Sequence, residues 1–324
     1  MPVVSTVRGP VDVEDLGRTL MHEHVFVLST EHLQNYGVDR WWDEEERVAD
    51  AVTKLRSLAA KGFGTIVDPT VWGLGRYIPR IQRIAEQVPE LNIIVATGLY
   101  TYDELPHQYA TRGPGALLEL PEPMITDFGR DIADGIADTG VHAAFLKCVV
   151  ETRGLTPGVE RVCRAVARTH AATGAPITVH THAPSRSGLL ALDFFAKEGV
   201  DLTKVVIGHA GDSNDLDYLM RLADSGAVLG MDRFGLDLYN PTAQRVETVA
   251  ALCARGYADR MVLSQDASCF IDWFGDSHEL VAQLMPNWRH DHIADDVLPE
   301  LLRQGVTQEQ IDQMLVGNPR RYFS

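Results

Sequence analysis

His22 and His24 stand two residues apart in the segment Met21-His22-Glu23-His24-Val25. On a β-strand, side chains two apart share a face, so both imidazoles would point one way and Glu23 the other. Three further segments end in the same chemistry: Thr178-Val179-His180-Thr181-His182, Gly208-His209 and Ser264-Gln265-Asp266. Imidazole and carboxylate are ligands that suit zinc, iron, manganese or cobalt. A different oddity is Phe145-Leu146-Lys147-Cys148-Val149-Val150, where a lysine interrupts an apolar run. An unpaired ammonium is costly in such a place, and desolvation lowers its pKa and frees the neutral amine. That amine can form a Schiff base with a carbonyl substrate, or take up carbon dioxide as a carbamate whose two oxygens bridge two metal ions. The bland alternative is a lysine that snorkels from a strand end.

Eight short apolar or β-branched runs carry or separate these residues, at 20–27, 65–68, 93–97, 144–148, 177–180, 205–209, 228–231 and 261–264. Helix-period patterns alternate with them at 44–60, 80–88, 158–173, 188–199, 216–225 and 242–255, and a last one at 307–316 closes the chain. Strand–helix alternation implies parallel strands with helical crossovers, and buried parallel strands read as near-continuous apolar runs. Eight units favour a single (β/α)8 barrel domain spanning residues 1–324 over an open sheet. The opening stretch, 3–17, is expected to form a short β-hairpin. Two connections are long, 97–126 and 267–293; in a barrel, loops after strands build the active face, so both are candidate substrate loops. All the candidate ligands fall at C-terminal strand ends except His22 and His24, which are expected inside the first strand.

The chain has 29 Lys+Arg against 45 Asp+Glu, a formal charge of −16, which argues against general binding to nucleic acid or an anionic membrane. Cys148, Cys163, Cys253 and Cys269 form no CxxC pair, as expected of reduced thiols. Residues 1–20 have no apolar stretch of the signal-peptide kind, and no run reaches the ~20 apolar residues of a membrane span, so a cytoplasmic protein is expected. No GxSxG elbow occurs, and Gly73-Leu74-Gly75 lacks the third glycine of a dinucleotide fingerprint because Ile78 holds that place. His182 is expected to be supporting or structural. His290-Asp291-His292 repeats the HxH pattern in what reads as a polar surface or lid segment.

An HxH pair on strand one, lysine on strand four, histidines on strands five and six and aspartate on strand eight resemble the amidohydrolase superfamily. Within it the chain is similar throughout to the phosphotriesterase family and, more narrowly, to the phosphotriesterase-like lactonases. The segments that carry the likeness include Leu20-Met21-His22-Glu23-His24-Val25-Phe26, Gly73-Leu74-Gly75-Arg76-Tyr77-Ile78-Pro79-Arg80, Ala96-Thr97-Gly98-Leu99-Tyr100-Thr101-Tyr102, Gly230-Met231-Asp232-Arg233-Phe234-Gly235 and Asn318-Pro319-Arg320-Arg321. The resemblance implies two divalent ions per chain, zinc first, with cobalt, iron or manganese as alternatives. His22, His24 and Asp266 would hold the more buried ion and His180 and His209 the more exposed one, with Lys147 carboxylated by carbon dioxide between them. Tyr100 and Arg233 would orient substrate, and Trp273 would contact its acyl portion. Gln265 and Ser268 depart from common family residues and are expected beside the leaving-group and acyl region.

The resemblance thus implies a lactonase acting on N-acyl-homoserine lactones and related alkyl lactones, with weak phosphotriesterase activity beside it. Tyr100 would help hold the developing oxyanion, and Asp266 would take a proton and return it to the leaving alkoxide. Phe270, Ile271, Trp273, Phe274, Met285 and Trp288 would offer a slot for an acyl chain. The alternatives are a phosphotriesterase or arylesterase as the main activity, and a metal-binding protein without catalysis, against which six intact ligands stand. The family also implies a homodimer.

Overall fold

In a computed structural model the chain forms the expected (β/α)8 barrel, and the structure describes residues 2–37, 42–275 and 277–324. The opening stretch is an antiparallel hairpin of β1 (Val3–Thr6) and β2 (Gly9–Asp12). Its turn meets the start of a barrel strand, where Val7 N–H donates to Ile93 O at 2.9 Å. Barrel strand one is split into β3 (Arg18–Leu20) and β4 (His24–Val27). The others are β5 (Phe63–Asp68), β6 (Asn92–Gly98), β7 (Phe145–Val150), β8 (Ile177–Thr181), β9 (Val205–Gly208), β10 (Val228–Met231) and β11 (Met261–Leu263). They pair in parallel in the order β3-β5-β6-β7-β8-β9-β10-β11. β12 (Ser268–Ile271) follows and pairs with β4, setting Ser268 opposite His24. No described helix is long and apolar enough to cross a membrane.

Alternation along the strands sorts the core into two layers. On β7, Leu146, Cys148 and Val150 join the cluster packed under the helices, whereas Phe145 joins a second cluster with Met21, Val67, Ile94, Ala96, Val206, Val228 and Val262. The second cluster fills the barrel interior, and Tyr322 and Phe323 of the last helix, Asn318–Phe323, belong to it. Lys147 shares the parity of Phe145 and therefore stands inside the barrel, above this plug. The same alternation sends Glu23 away from His22 and His24.

Two expectations need correction. Strand 20–27 is not continuous: Met21 N–H still reaches Leu263 O of β11 and Glu23 N–H reaches Val67 O of β5, but between them His22 bonds the irregular segment after β11, so His22 lies in a break and His24 begins β4. The stretch 97–126 is not wholly loop: it holds the short helix His107–Ala110 and the start of Pro123–Ala133, which supplies the missing crossover after β6. Its Pro123, Thr126, Asp127 and Gly129 are weak helix formers, and the helix rests on capping by Glu122 and on buried Met124 and Phe128. The stretch 267–293 is likewise partly ordered, with β12, a 3-10 turn Asp272–Phe274 and the helix His278–Leu284; position 276 within it lies outside the described residues.

Gly98 ends β6 with φ +140°, and a Cβ there would lie 1.9 Å from Lys147 O. Leu99 N–H also donates to that carbonyl at 3.1 Å, so the close approach fixes the height of Lys147 in the barrel. Gly98→Ala is expected to cost about 3 kcal/mol, read from urea unfolding of metal-free protein. An unchanged midpoint would mean that the backbone yields to the methyl group without strain.

Candidate metal centre

The barrel closes where β3 and β4 meet the end of β11, and there the ladder is replaced by bonds that involve the candidate ligands. His22 N–H donates to Ser264 Oγ at 2.8 Å, Asp266 N–H to His22 O at 3.0 Å, and His24 N–H to Ala267 O at 2.8 Å. Glu23, fully buried on the other face, accepts from Ser264 Oγ at 2.9 Å, Gln265 N–H at 2.7 Å and Ala267 N–H at 2.9 Å. Burial pushes its carboxyl up to about 8, although the three donors pull the other way. As a result Asp266 Oδ1 lies 3.4 Å from His22 Nε2 and 3.3 Å from His24 Nε2. These three residues each offer a ligand atom within 4.8 Å of the others.

His180 and His209 face each other beside this group, with His180 Nδ1 2.9 Å from His209 Nε2. The ring atoms turned away from the cavity are fixed by carboxylates or, for His24, by a hydroxyl that a carboxylate orients. Asp232 Oδ2 lies 3.1 Å from His22 Nδ1, and its Oδ1 lies 2.9 Å from His209 Nδ1 while also accepting His209 N–H at 2.9 Å. His24 Nδ1 lies 2.7 Å from Thr70 Oγ1, which donates to Asp68 Oδ1. Glu151 Oε1 stands 3.4 Å from His180 Nε2. Each Nδ1 or Nε2 so engaged carries the proton, leaving the opposite nitrogen as a lone-pair donor toward the cavity. His22, His209 and Asp232 also cluster closely enough to hold a cation. We read them instead as a carboxylate that orients two rings, because the ring nitrogens turned to the cavity are the other pair.

Lys147 Nζ is buried with no hydrogen-bond partner, and burial pulls its pKa down to about 8. It lines the same cavity as His22, His24, His180, His209 and Asp266. Burial likewise pulls His180 down to about 4, so its imidazole is neutral and able to coordinate. The donor set of four imidazoles, one carboxylate and one unpartnered amine fits a pair of divalent cations. His209 and Asp266 hold φ values of 64° and 52°, left-handed geometry that a non-glycine residue keeps only when its surroundings over-determine it.

The cavity above has a volume of about 470 Å³ and is walled by Leu74, Leu236, Leu238, Ile271, Trp273, Phe274, Met285 and Trp288, with Tyr100, Tyr102, Tyr239, Arg233 and Ser268 at the lining. The structure therefore brings Tyr100, Arg233, Ser268 and Trp273 to the cavity, as read from the sequence. Tyr100 OH lies 2.7 Å from Tyr102 OH and 3.4 Å from His180 Nδ1. Arg233 is engaged on two sides: Nε donates to Asp266 Oδ2 at 3.0 Å and a terminal nitrogen to Asp212 Oδ2 at 2.9 Å. Its guanidinium also lies 4.9 Å from the centre of the Tyr239 ring.

Gln265 departs from expectation. It does not line the cavity, because its amide donates to Arg289 O at 2.9 Å and its side chain is fully buried. His290 and His292 are also buried rather than at the surface, the latter 2.8 Å from Asp296 through Nδ1. His182 caps the turn Ala183–Ser185, accepting Ser185 N–H at 3.2 Å. Sequence reasoning passed over Asp232, Glu151, Asp212 and Tyr102. Asp232 and Glu151 each directly follow a strand, β10 and β7, so the strand-end rule that picked out the ligands applied to them as well.

The sequence profile of the phosphotriesterase family matches residues 2–323. A phosphotriesterase homology protein of Mycobacterium tuberculosis is 57% identical over 323 residues, covering 100% of this chain and 98% of that protein. An aryldialkylphosphatase of Saccharolobus solfataricus is 36% identical over 317 residues, covering 98% of each. The solved structure of the phosphotriesterase from Mycobacterium tuberculosis matches with a TM-score of 0.97 at 57% identity, covering 100% of this chain and 98% of that one.

Asp232 touches two candidate ligand rings at once, so Asp232→Asn would turn an N–H toward one of two ring N–H groups. Metal affinity is expected to fall about 10- to 100-fold with the far-ultraviolet circular dichroism unchanged. Wild-type affinity in the variant would show that the two rings need no shared carboxylate.

Proposed function

The chain belongs to the phosphotriesterase family of metal-dependent hydrolases, and from that premise we propose that it opens lactone rings at a binuclear metal centre. His22, His24 and Asp266 would hold one ion and His180 and His209 the other. Lys147 would lie between them after its neutral amine adds carbon dioxide, forming an N–C bond and releasing one proton to leave a carbamate. The unpartnered, buried Nζ is what favours that modification, since an ammonium there meets no counter-ion at hydrogen-bond distance. Two bound divalent ions would supply Lewis acidity at the carbonyl and lower the pKa of a coordinated water from about 15.7 toward about 7.

The observation that carries the lactone reading is the cavity itself, an apolar chamber that opens onto the six ligand side chains. A neutral ester with an alkyl arm buries that arm against Trp273, Phe274, Ile271 and Met285 while its carbonyl meets the donor set. Tyr100, whose hydroxyl lies 3.4 Å from His180 Nδ1, would donate to an oxygen that gains charge there. Asp266 would take a proton during attack and return it to the leaving alkoxide, and Arg233 holds that carboxylate in place from the side. Apolar walls discriminate chain length weakly, at about 1–3 kcal/mol per methylene, so breadth in acyl length is expected. A second reading, an aryl phosphotriesterase as the main activity, is favoured by the aryldialkylphosphatase relative.

Reconstitution with zinc or cobalt is expected to give two ions per chain, and kcat/KM for N-acyl-homoserine and alkyl lactones above that for an aryl dialkyl phosphate. The reverse order would establish the second reading, and one ion or none without turnover would overturn both. Lys147→Ala is expected to lose at least about a hundredfold in kcat together with bound metal. Full activity with two ions retained would exclude the carbamate.

A further inference from the structure

Glu23 lies between two candidate ligands yet points away from the cavity, and its carboxylate is fully buried. The segment it reaches, 264–267, belongs to no strand, because β11 stops at Leu263 and β12 starts at Ser268. The amides of Gln265 and Ala267 therefore have no ladder partner, and both donate to Glu23, at 2.7 Å and 2.9 Å. They bracket Asp266, whose own N–H goes to His22 O and whose φ of 52° is left-handed. A third donor, Ser264 Oγ at 2.9 Å, has its direction fixed because Ser264 accepts from His22 N–H at 2.8 Å. All three neighbours donate and none accepts, an arrangement that favours the carboxylate and opposes the burial that pushes its pKa up.

We propose that Glu23 is a positioning residue that holds Asp266, and through Ser264 also His22, in metal-binding geometry. The inference rests on the reading of Asp266 and His22 as ligands. Its physical content is that the peptide on either side of Asp266 is clamped at both flanking amides. The carboxylate of Asp266 is thereby kept at 3.4 Å and 3.3 Å from the two Nε2 atoms rather than swinging with a relaxed backbone. Glutamine at this position matches the shape but exchanges one acceptor for a donor that faces an N–H, so charge and acceptor count, not size, are under test.

The test is a cobalt(II) titration of the metal-free full-length chain, followed by visible absorption and by metal content, for wild type, Glu23→Gln and Ser264→Ala. Val166→Ala, in the helix Pro157–Thr173 and fully buried, serves as a destabilised control remote from the seam. Glu23→Gln is expected to fold by circular dichroism and to bind cobalt at least about tenfold more weakly than the control, with Ser264→Ala intermediate. Cobalt affinity in Glu23→Gln equal to the control, with only the melting temperature lowered, would overturn the inference and leave Glu23 a structural clip. If Glu23→Gln fails to fold, Ser264→Ala decides alone: severalfold weaker binding supports the clamp, and unchanged binding rejects it. Wild type that binds no cobalt would instead overturn the metal-centre reading, and this inference with it.

Discussion

A barrel must close, and the backbone groups of its first and last strands must find partners inside a buried seam. Here that closure is not an ordinary ladder. The last strand stops at Leu263, the first breaks after Leu20, and the gap is laced by Ser264, the His22 carbonyl, the Ala267 carbonyl and the Glu23 side chain. Buried amides left without partners are strongly disfavoured, so this lacing is required for closure whatever the site above it does. The consequence is that three candidate ligands are brought together by the requirement that completes the fold. Folding and site assembly are the same event at this seam.

The rest of the site is tied to that seam by shared carboxylates. Asp232 joins the ring of His22 to the ring of His209, and Asp266 is joined through Arg233 to Asp212, which also accepts from Arg245 at 2.6 Å. Acids and bases buried this deeply are tolerable only because each meets an opposite partner or a donor. The exception is Lys147, and its isolation is the more telling for standing in so well-paired a neighbourhood. Left-handed backbone at His209 and Asp266 fits the same view, since strain survives where surroundings dictate the conformation.

Strand–helix alternation made the barrel legible from sequence, and strand-end position made the ligands legible with it. His180 and His209 end or follow apolar runs directly and Asp266 lies just beyond one, so period and burial pointed at them together. The break at residues 21–23 was not legible, because its cause lies some 240 residues away in the chain, in the partners that Ser264 and Ala267 offer. Helix Pro123–Ala133 was hidden by residues of poor intrinsic propensity that tertiary packing overrides. Gln265 was misplaced because adjacency in sequence to Asp266 says nothing of which side a left-handed residue turns its neighbour toward. Asp232 was within reach of the strand-end argument and was passed over in favour of its neighbour, Arg233.

Arg233 has a consequence for the traffic of protons. It stands between Asp266 and Asp212, the position from which a titrating side chain could conduct a proton outward. A guanidinium stays protonated at every pH at which proteins fold, so it relays field but not charge carriers. A proton on Asp266 therefore has no path to Asp212 through Arg233, and any exchange with solvent runs on the cavity side. The arginine thus couples the two carboxylates by field alone, which keeps the titration of one from being passed to the other as a moving proton.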